Sequence, residues 1–371
     1  MKKFTILTSL LALTACGGGS GGGSAPTPVN LNPSLAHGLN EMEFYTSDEE
    51  TMKFNVDANG AVVSVTTEDM YDGNKITFAH TTGNQFQISN KYFYNLRHDQ
   101  ENAVWVYLNE HGMSGPISEQ IVSDTALTEN EIREQLIAKT IELFQKNNIN
   151  VDASVVRAAY ESLGALDYHS GHVDSMVMDI NSVGKDLQLA YSDFGSIKNN
   201  LNGSEDGEHF TEEYYSTYVG GYEPNKLETR PSEDMTFTGA AIATINRFNS
   251  NDEESSEMLS RTNDAKLELI GGQEILTMNF SKADNPWYDV ELNVSTRGIT
   301  IHDTDETAAR INEAYKIKDG MTPYHNGTDT SYYTNGETVQ EATAVSSFGA
   351  WNDATREGVE VNSVFGGKVA Q

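Results

Sequence analysis

The feature that most constrains the fold of this 371-residue chain lies in its C-terminal third, where apolar and polar residues alternate in eight short runs. The runs cover 235–246, 264–270, 274–281, 288–295, 298–303, 329–335, 340–351 and 358–370. A period of two is the period of a strand, because successive side chains point to opposite faces. In the first run Phe237, Gly239, Ala241, Ala243 and Ile245 share a face of mostly small residues. In the last, Val359, Val361 and Phe365 alternate with Glu360 and Asn362. Small apolar residues and glycine suit the inside of a narrow closed barrel, where opposing strands crowd the axis. The apolar parity flips between Ser295 and Ile299, and Gly298 at the flip predicts a turn or a bulge. Eight strands is the number at which side chains just fill a barrel. Periodicity alone leaves barrel and sandwich both open.

Upstream, Glu41 to Leu108 also reads as strands and turns. Phe54 and Val56, then Val63 and Val65, flank the hairpin signal Asp57-Ala58-Asn59-Gly60. Ile76 and Phe78, then Phe86 and Ile88, flank a second polar turn at 81–84. Tyr92 and Tyr94, and then Val104, Val106 and Leu108, add two more alternating segments, so a small antiparallel sheet with one buried face is expected. The strong helical signal lies near 128–163. Thr128-Glu129-Asn130-Glu131 is a capping box, followed by Ile132, Leu136, Ile137, Ile141 and Phe144 on one helical face. Asp152 can cap a second helix carrying Val155, Val156, Ala159 and Leu163, and the short link between the two favours a helical hairpin.

The N-terminus carries a different kind of signal. Lys2 and Lys3 precede an apolar stretch from Phe4 to Leu13, which suits a signal-peptide core and is too short to span a bilayer comfortably. It ends in Leu13-Thr14-Ala15-Cys16, the lipobox pattern, so residues 1–15 read as a signal peptide and Cys16 as the acylated first residue. Cys16 is the chain's single cysteine, so no disulfide can stabilise the mature protein. The lipid is the one membrane attachment the sequence offers. Gly17 to Ser24 reads GGGSGGGS and runs into Ala25-Pro26-Thr27-Pro28, so 16–34 reads as a tether with a root-mean-square span of roughly 20–25 Å.

Charge narrows the partners. With 55 acidic and 24 basic residues the formal charge is −31, which argues against nucleic acid or anionic lipid, since phosphates need Lys and Arg to neutralise them. A solvated acidic surface accounts for this charge, and a basic protein partner is compatible with it. A chain this long exceeds the size at which one core usually divides, so two domains are expected. These are 35–232 and 233–371.

The C-terminal part resembles the barrel domain of the transferrin-binding protein B-like surface lipoproteins of Gram-negative bacteria. The residues that carry the likeness are Met235-Thr236-Phe237-Thr238-Gly239-Ala240-Ala241, Ser331-Tyr332-Tyr333-Thr334-Asn335-Gly336, Ser347-Phe348-Gly349-Ala350, and Gly358-Val359-Glu360-Val361 through Val364-Phe365-Gly366-Gly367-Lys368. Leu189 to Gly195 and Gly220-Gly221-Tyr222 are similar to the family's segment leading into the barrel. The likeness covers about 180 residues, from Leu187 onward. It implies a mainly β protein, with a C-terminal eight-stranded antiparallel β-barrel and an N-terminal β-rich handle-like domain. Here that domain would carry the helical hairpin, a departure from the family's handle. It further implies an outer-membrane, surface-exposed binding protein for a protein or haem- or iron-related ligand. An envelope structural or adhesion lipoprotein without a small-molecule ligand is the other reading.

Catalytic motifs are missing: the chain has no G-x-S-x-G, no H-E-x-x-H and no phosphate-cradling glycine loop, so an enzyme is not expected. His169 and His172, beside Asp167 and Asp174, have spacing compatible with a metal or haem iron, or with a solvated loop. Asn202, Ser204, Asp206 and Glu213, with Gly207 at the turn, match part of an EF-hand calcium loop, although Asn stands first and no convincing helix precedes it. Tyr214, Tyr215, Tyr218 and Tyr222 read either as a ligand-binding patch or as sheet packing.

Overall fold

The computed structural model describes residues 27–70, 75–248, 254–280, 291–295, 298–302, 322–352 and 357–370. The expected signal peptide and Cys16 lie outside the described residues. The described residues form two antiparallel sheets and a small helical layer.

The first sheet begins with β1 (Glu43–Thr46), β2 (Glu50–Val56), β3 (Val62–Asp69), β4 (Lys75–Thr82) and β5 (Gln85–Leu96). After helix α1 (His98–Glu110) come β6 (Gln120–Ser123), α2 (Glu129–Lys146), α3 (Ala153–Glu161), β7 (Tyr168–Ser182), the single turn α4 (Gly184–Leu187), β8 (Ser192–Glu205) and β9 (Glu208–Gly221). The strands run in the order β4-β3-β2-β1-β9-β8-β7-β5-β6, and β4 also pairs with β5. That last pairing closes an eight-stranded ring with β6 outside it. The expected small sheet with one buried face is therefore part of a closed barrel. Local hairpins were readable, whereas closure depends on Phe44 pairing with Gly220, far apart in sequence. Inward residues alternate along each strand, for example Phe44, Met52 and Phe54, Val65, Ile76 and Phe78, Met176 and Met178, and Tyr218.

Residues 98–110 form a helix where alternation suggested a strand. Val104 and Leu108, spaced i, i+4, are the two it buries, while Trp105 and Val106 face outward. Asp99 and Glu101 in its first turn complement the helix dipole. The hairpin of α2 and α3 follows the sequence closely. The Thr128 hydroxyl accepts from Glu131 N–H at 3.4 Å, and the Glu131 carboxylate accepts from Thr128 N–H at 2.8 Å. Asp152 caps α3 through Ser154 N–H at 2.9 Å. Helices α2 and α3 bury Leu136, Phe144, Val156 and Tyr160, and α1 buries Val104 and Leu108, in one cluster with Ile121 of β6 and Leu96 of β5.

Composition placed residues up to Ser34 in the tether, but 27–34 belong to the folded body. Thr27 C=O accepts from Gly83 N–H at 2.8 Å, Leu31 is in the core, and Asn32 donates to Leu189 C=O at 3.1 Å.

The second sheet comprises β10 (Met235–Phe248), β11 (Glu254–Ile270), β12 (Gln273–Phe280), β13 (Glu291–Ser295), β14 (Gly298–His302), β15 (Thr322–Thr334), β16 (Val339–Asn352) and β17 (Glu357–Val369), in the order β14-β13-β12-β11-β10-β17-β16-β15. Eight antiparallel strands curl into the barrel expected here. The Tyr332 hydroxyl of β15 donates to Glu274 of β12 at 2.7 Å, although five positions separate those strands in the sheet order. Ser295 pairs with Gly298 across the parity flip, and residues 296–297 between them lie outside the described residues.

Phe237, Ala241 and Ala243 line the barrel interior. The intervening Ala240 and Ile242 are also buried, against Phe194 and Val219 of the first sheet. Strand β10 is thus covered on both faces, which is why 240–243 reads as an unbroken apolar run.

Candidate functional site

Strand geometry separates the residues that the sequence suggested as sites. His169 and His172 are three apart on β7, in unbroken register with β5, so their rings leave opposite faces. His169 lies against Asp206 at 3.2 Å and Arg97 at 3.0 Å. His172 lies against Asp174 at 3.2 Å and Asn90 at 3.0 Å. The two rings cannot share one metal or one haem iron.

The EF-hand reading is corrected by the same hairpin geometry. Asn202 and Ser204 belong to β8, and Asp206 and Gly207 form a two-residue turn with φ of 46° and 88°. Both values are positive, the requirement of a hairpin turn for which Asp-Gly is a preferred pair. Glu213 is seven residues beyond Asp206, roughly 20 Å along the strand, and pairs with Lys198 at 2.6 Å. Among the described residues, no group of three or more His, Cys, Asp or Glu is arranged to hold a metal ion.

The four tyrosines do not share a surface. Tyr218 is wholly buried and donates to Asp193 at 3.1 Å. Tyr214 faces the same interior, while Tyr215 points outward, its hydroxyl on Glu213 at 2.9 Å. Tyr222 stacks on His37 with ring centroids 3.6 Å apart.

What the structure does assemble is a cleft of about 390 Å³ between the two sheets, within the range of small-ligand sites. One wall comes from Tyr45, Ser47 and Thr217 beside the β1–β9 pair of the first barrel, and the other from Ser331, Thr343 and Val345 of the second. Met70 is 56% exposed and Val345 39%, so each wall offers an uncovered apolar side chain. Lys226 lines the same space, its ammonium 6.0 Å from the Tyr45 ring and 3.2 Å from Glu223. Burial, and then the charge of Glu43, push the Tyr45 phenol above its usual pKa. The cleft therefore presents hydroxyls, one aromatic face, one cation and a few apolar groups, a set suited to binding.

Two contacts join the sheets that wall the cleft. Tyr333 is buried against Gly221, where an added Cβ would stand 2.3 Å from its ring. Glu341, 2% exposed on β16, accepts from the backbone N–H groups of Ala190, Tyr191 and Ser192 at 2.6, 3.1 and 3.1 Å. Sequence reasoning missed the cleft because its residues are scattered from Tyr45 to Val364, and Gly220, Ser331, Tyr333 and Val364 stood out only as carriers of the family likeness.

No protein-family model matches the chain, and no curated protein matches it. A solved structure of the vaccine antigen transferrin binding protein B from Haemophilus parasuis is similar at a TM-score of 0.24 and 10% identity, over 87% of this chain and 51% of that one. The chain spans about half the length of that protein.

Proposed function

We propose that this chain is a lipid-anchored, surface-exposed outer-membrane protein that captures a protein or haem- or iron-related ligand in the cleft between its two barrels. The observation that carries the reading is the lipobox ending at Cys16, followed by a Gly/Ser linker and a body with an open cleft between its two sheets. The lipid holds the protein at the membrane and the linker gives it reach. The handle-like domain ends near 232 and the barrel domain begins at 233, so the cleft draws on both. Pre-formed walls bind without paying for large ordering, and the uncovered Met70 and Val345 supply apolar anchors at the mouth.

The test uses full-length protein displayed on cells and exposed to host or environmental fluid, with bound proteins identified by mass spectrometry and haem followed by its Soret band. A Met70→Asp/Val345→Asp double variant is expected to keep its melting temperature and lose the captured species. Equal capture by wild type and variant removes the cleft from the account. Nothing captured above background favours an envelope structural or adhesion role instead.

A further inference from the structure

The interior of the first barrel contains a polar cavity that the proposed function does not use. Three inward rows meet there. On β8 the row is Ile197, Asn199, Leu201; on β9 it is Tyr214, Ser216, Tyr218; on β2 it is Glu50, Met52, Phe54. A hydrophobic barrel interior is thus interrupted at one level by Asn199, Ser216 and Glu50, with Asp48 entering from the β1–β2 corner. The cavity measures about 20 Å³, enough for one water molecule or one ion.

Its polar atoms have an unusual balance. Asn199 is 3% exposed, and its Oδ1 has no hydrogen-bond partner. Its Nδ2 donates to Ser216 Oγ at 3.4 Å, and Ser216 in turn donates to Asp48. The second hydroxyl on Asp48 is that of Ser47, at 3.4 Å. Among the described residues, Asp48 forms no ion pair with Lys, Arg or His. Asn199 Oδ1 and the carboxylates of Asp48 and Glu50 thus place acceptor oxygens on the cavity wall, beside Thr46, Thr67 and Tyr214. A half-buried carboxylate and a buried amide oxygen without a partner both cost free energy unless a cation or a hydrogen-bond donor meets them.

We propose that this cavity binds a single hard divalent cation, of which calcium is the best match, through carboxylate oxygens of Asp48 and Glu50 and the Oδ1 of Asn199. The donor set is all oxygen and includes two carboxylates, the chemistry of calcium and magnesium sites. Calcium accepts irregular oxygen arrangements at 2.3–2.6 Å, whereas magnesium demands a near-ideal octahedron. The ion would tie the β1–β2 corner to β8 and β9. This site is independent of the cleft between the two sheets and of the Asn202–Glu213 hairpin.

The experiment uses chelator-treated full-length protein and terbium as probe, because Tyr214 lines the cavity and can sensitise its emission. One terbium ion per chain is expected, displaced by calcium at lower concentration than by magnesium, with calcium also raising the melting temperature. Asp48→Asn and Glu50→Gln are expected to weaken binding at least tenfold. Tyr214→Phe is expected to leave calcium affinity by calorimetry within about twofold and to lower sensitised emission, which locates the ion even if a carboxylate variant fails to fold. No saturable binding in the wild type, or binding indifferent to all three substitutions, overturns the proposal. The cavity then holds water only, and terbium reports diffuse attraction to an acidic surface.

Discussion

Glu341 accepts two hydrogen bonds from Ser192, from its N–H at 3.1 Å and its hydroxyl at 2.8 Å, and so ties the second barrel to the first. The N–H groups of Ala190 and Tyr191 complete the set. Three consecutive amides around one buried carboxylate make an orienting contact, because unmade hydrogen bonds there would be costly. Glu341→Ala is expected to destabilise the protein by about 3–5 kcal/mol, and Glu341→Gln by about 1–2 kcal/mol, since one amide oxygen still accepts. Thermal unfolding measures both. A loss below about 0.5 kcal/mol for the alanine variant shows the contact to be incidental.

Gly366 of β17 lies against Phe194 of β8, where an added Cβ would come within 2.4 Å of the ring. Phe194 is wholly buried. Gly366→Val is therefore expected to cost about 1–3 kcal/mol by overpacking. The same packing predicts that Phe194→Ala with Gly366→Val is less destabilising than the sum of the two single changes, as a double-mutant cycle would show.

Asp193 is fully buried, and burial pushes its pKa up to about 6, against the hydrogen bonds from Ser182 at 2.7 Å and Tyr218 at 3.1 Å. An acid with a raised folded pKa takes up its proton more readily in the native state. The stability it contributes is complete below the unfolded value near 4 and is lost as pH rises through about 6. The shift corresponds to about 3 kcal/mol. Denaturant unfolding of wild type and Asp193→Asn between pH 4 and 7 should diverge in this sense, with the wild type losing stability relative to the variant as pH rises. Parallel curves contradict the assignment.

The capping box of α2 predicts a local effect. Thr128→Ala is expected to cost about 1 kcal/mol, and hydrogen exchange should quicken first in the opening turn of α2 rather than in either barrel. Uniform quickening throughout the chain would mean that the helical layer is not separable from the sheets.

How legible this molecule was in its sequence varied with the range of the interactions. The C-terminal strands announced themselves because alternation such as Val359, Val361, Phe365 needs no knowledge of partners. The α2–α3 hairpin was readable for the same reason, since Thr128 and Glu131 satisfy each other within four residues. Val104, Val106 and Leu108 misled because three even-numbered apolar residues fit a strand, and only packing selects the i, i+4 pair. Asp206-Gly207 carried a hairpin signal that the neighbouring oxygen-bearing residues made resemble a calcium loop. The closed first barrel, the Glu341 contact, the cleft and the Asn199 cavity all join residues far apart in sequence. Those relationships had no local pattern to betray them.

Protease treatment of intact cells of the native host, comparing wild type with Cys16→Ser, tests the central claim most directly. The account predicts that wild-type protein is digested while the cells stay sealed, and that the serine variant is no longer held at the outer surface. Wild-type protein that resists digestion until the envelope is opened, or a serine variant displayed like the wild type, contradicts it.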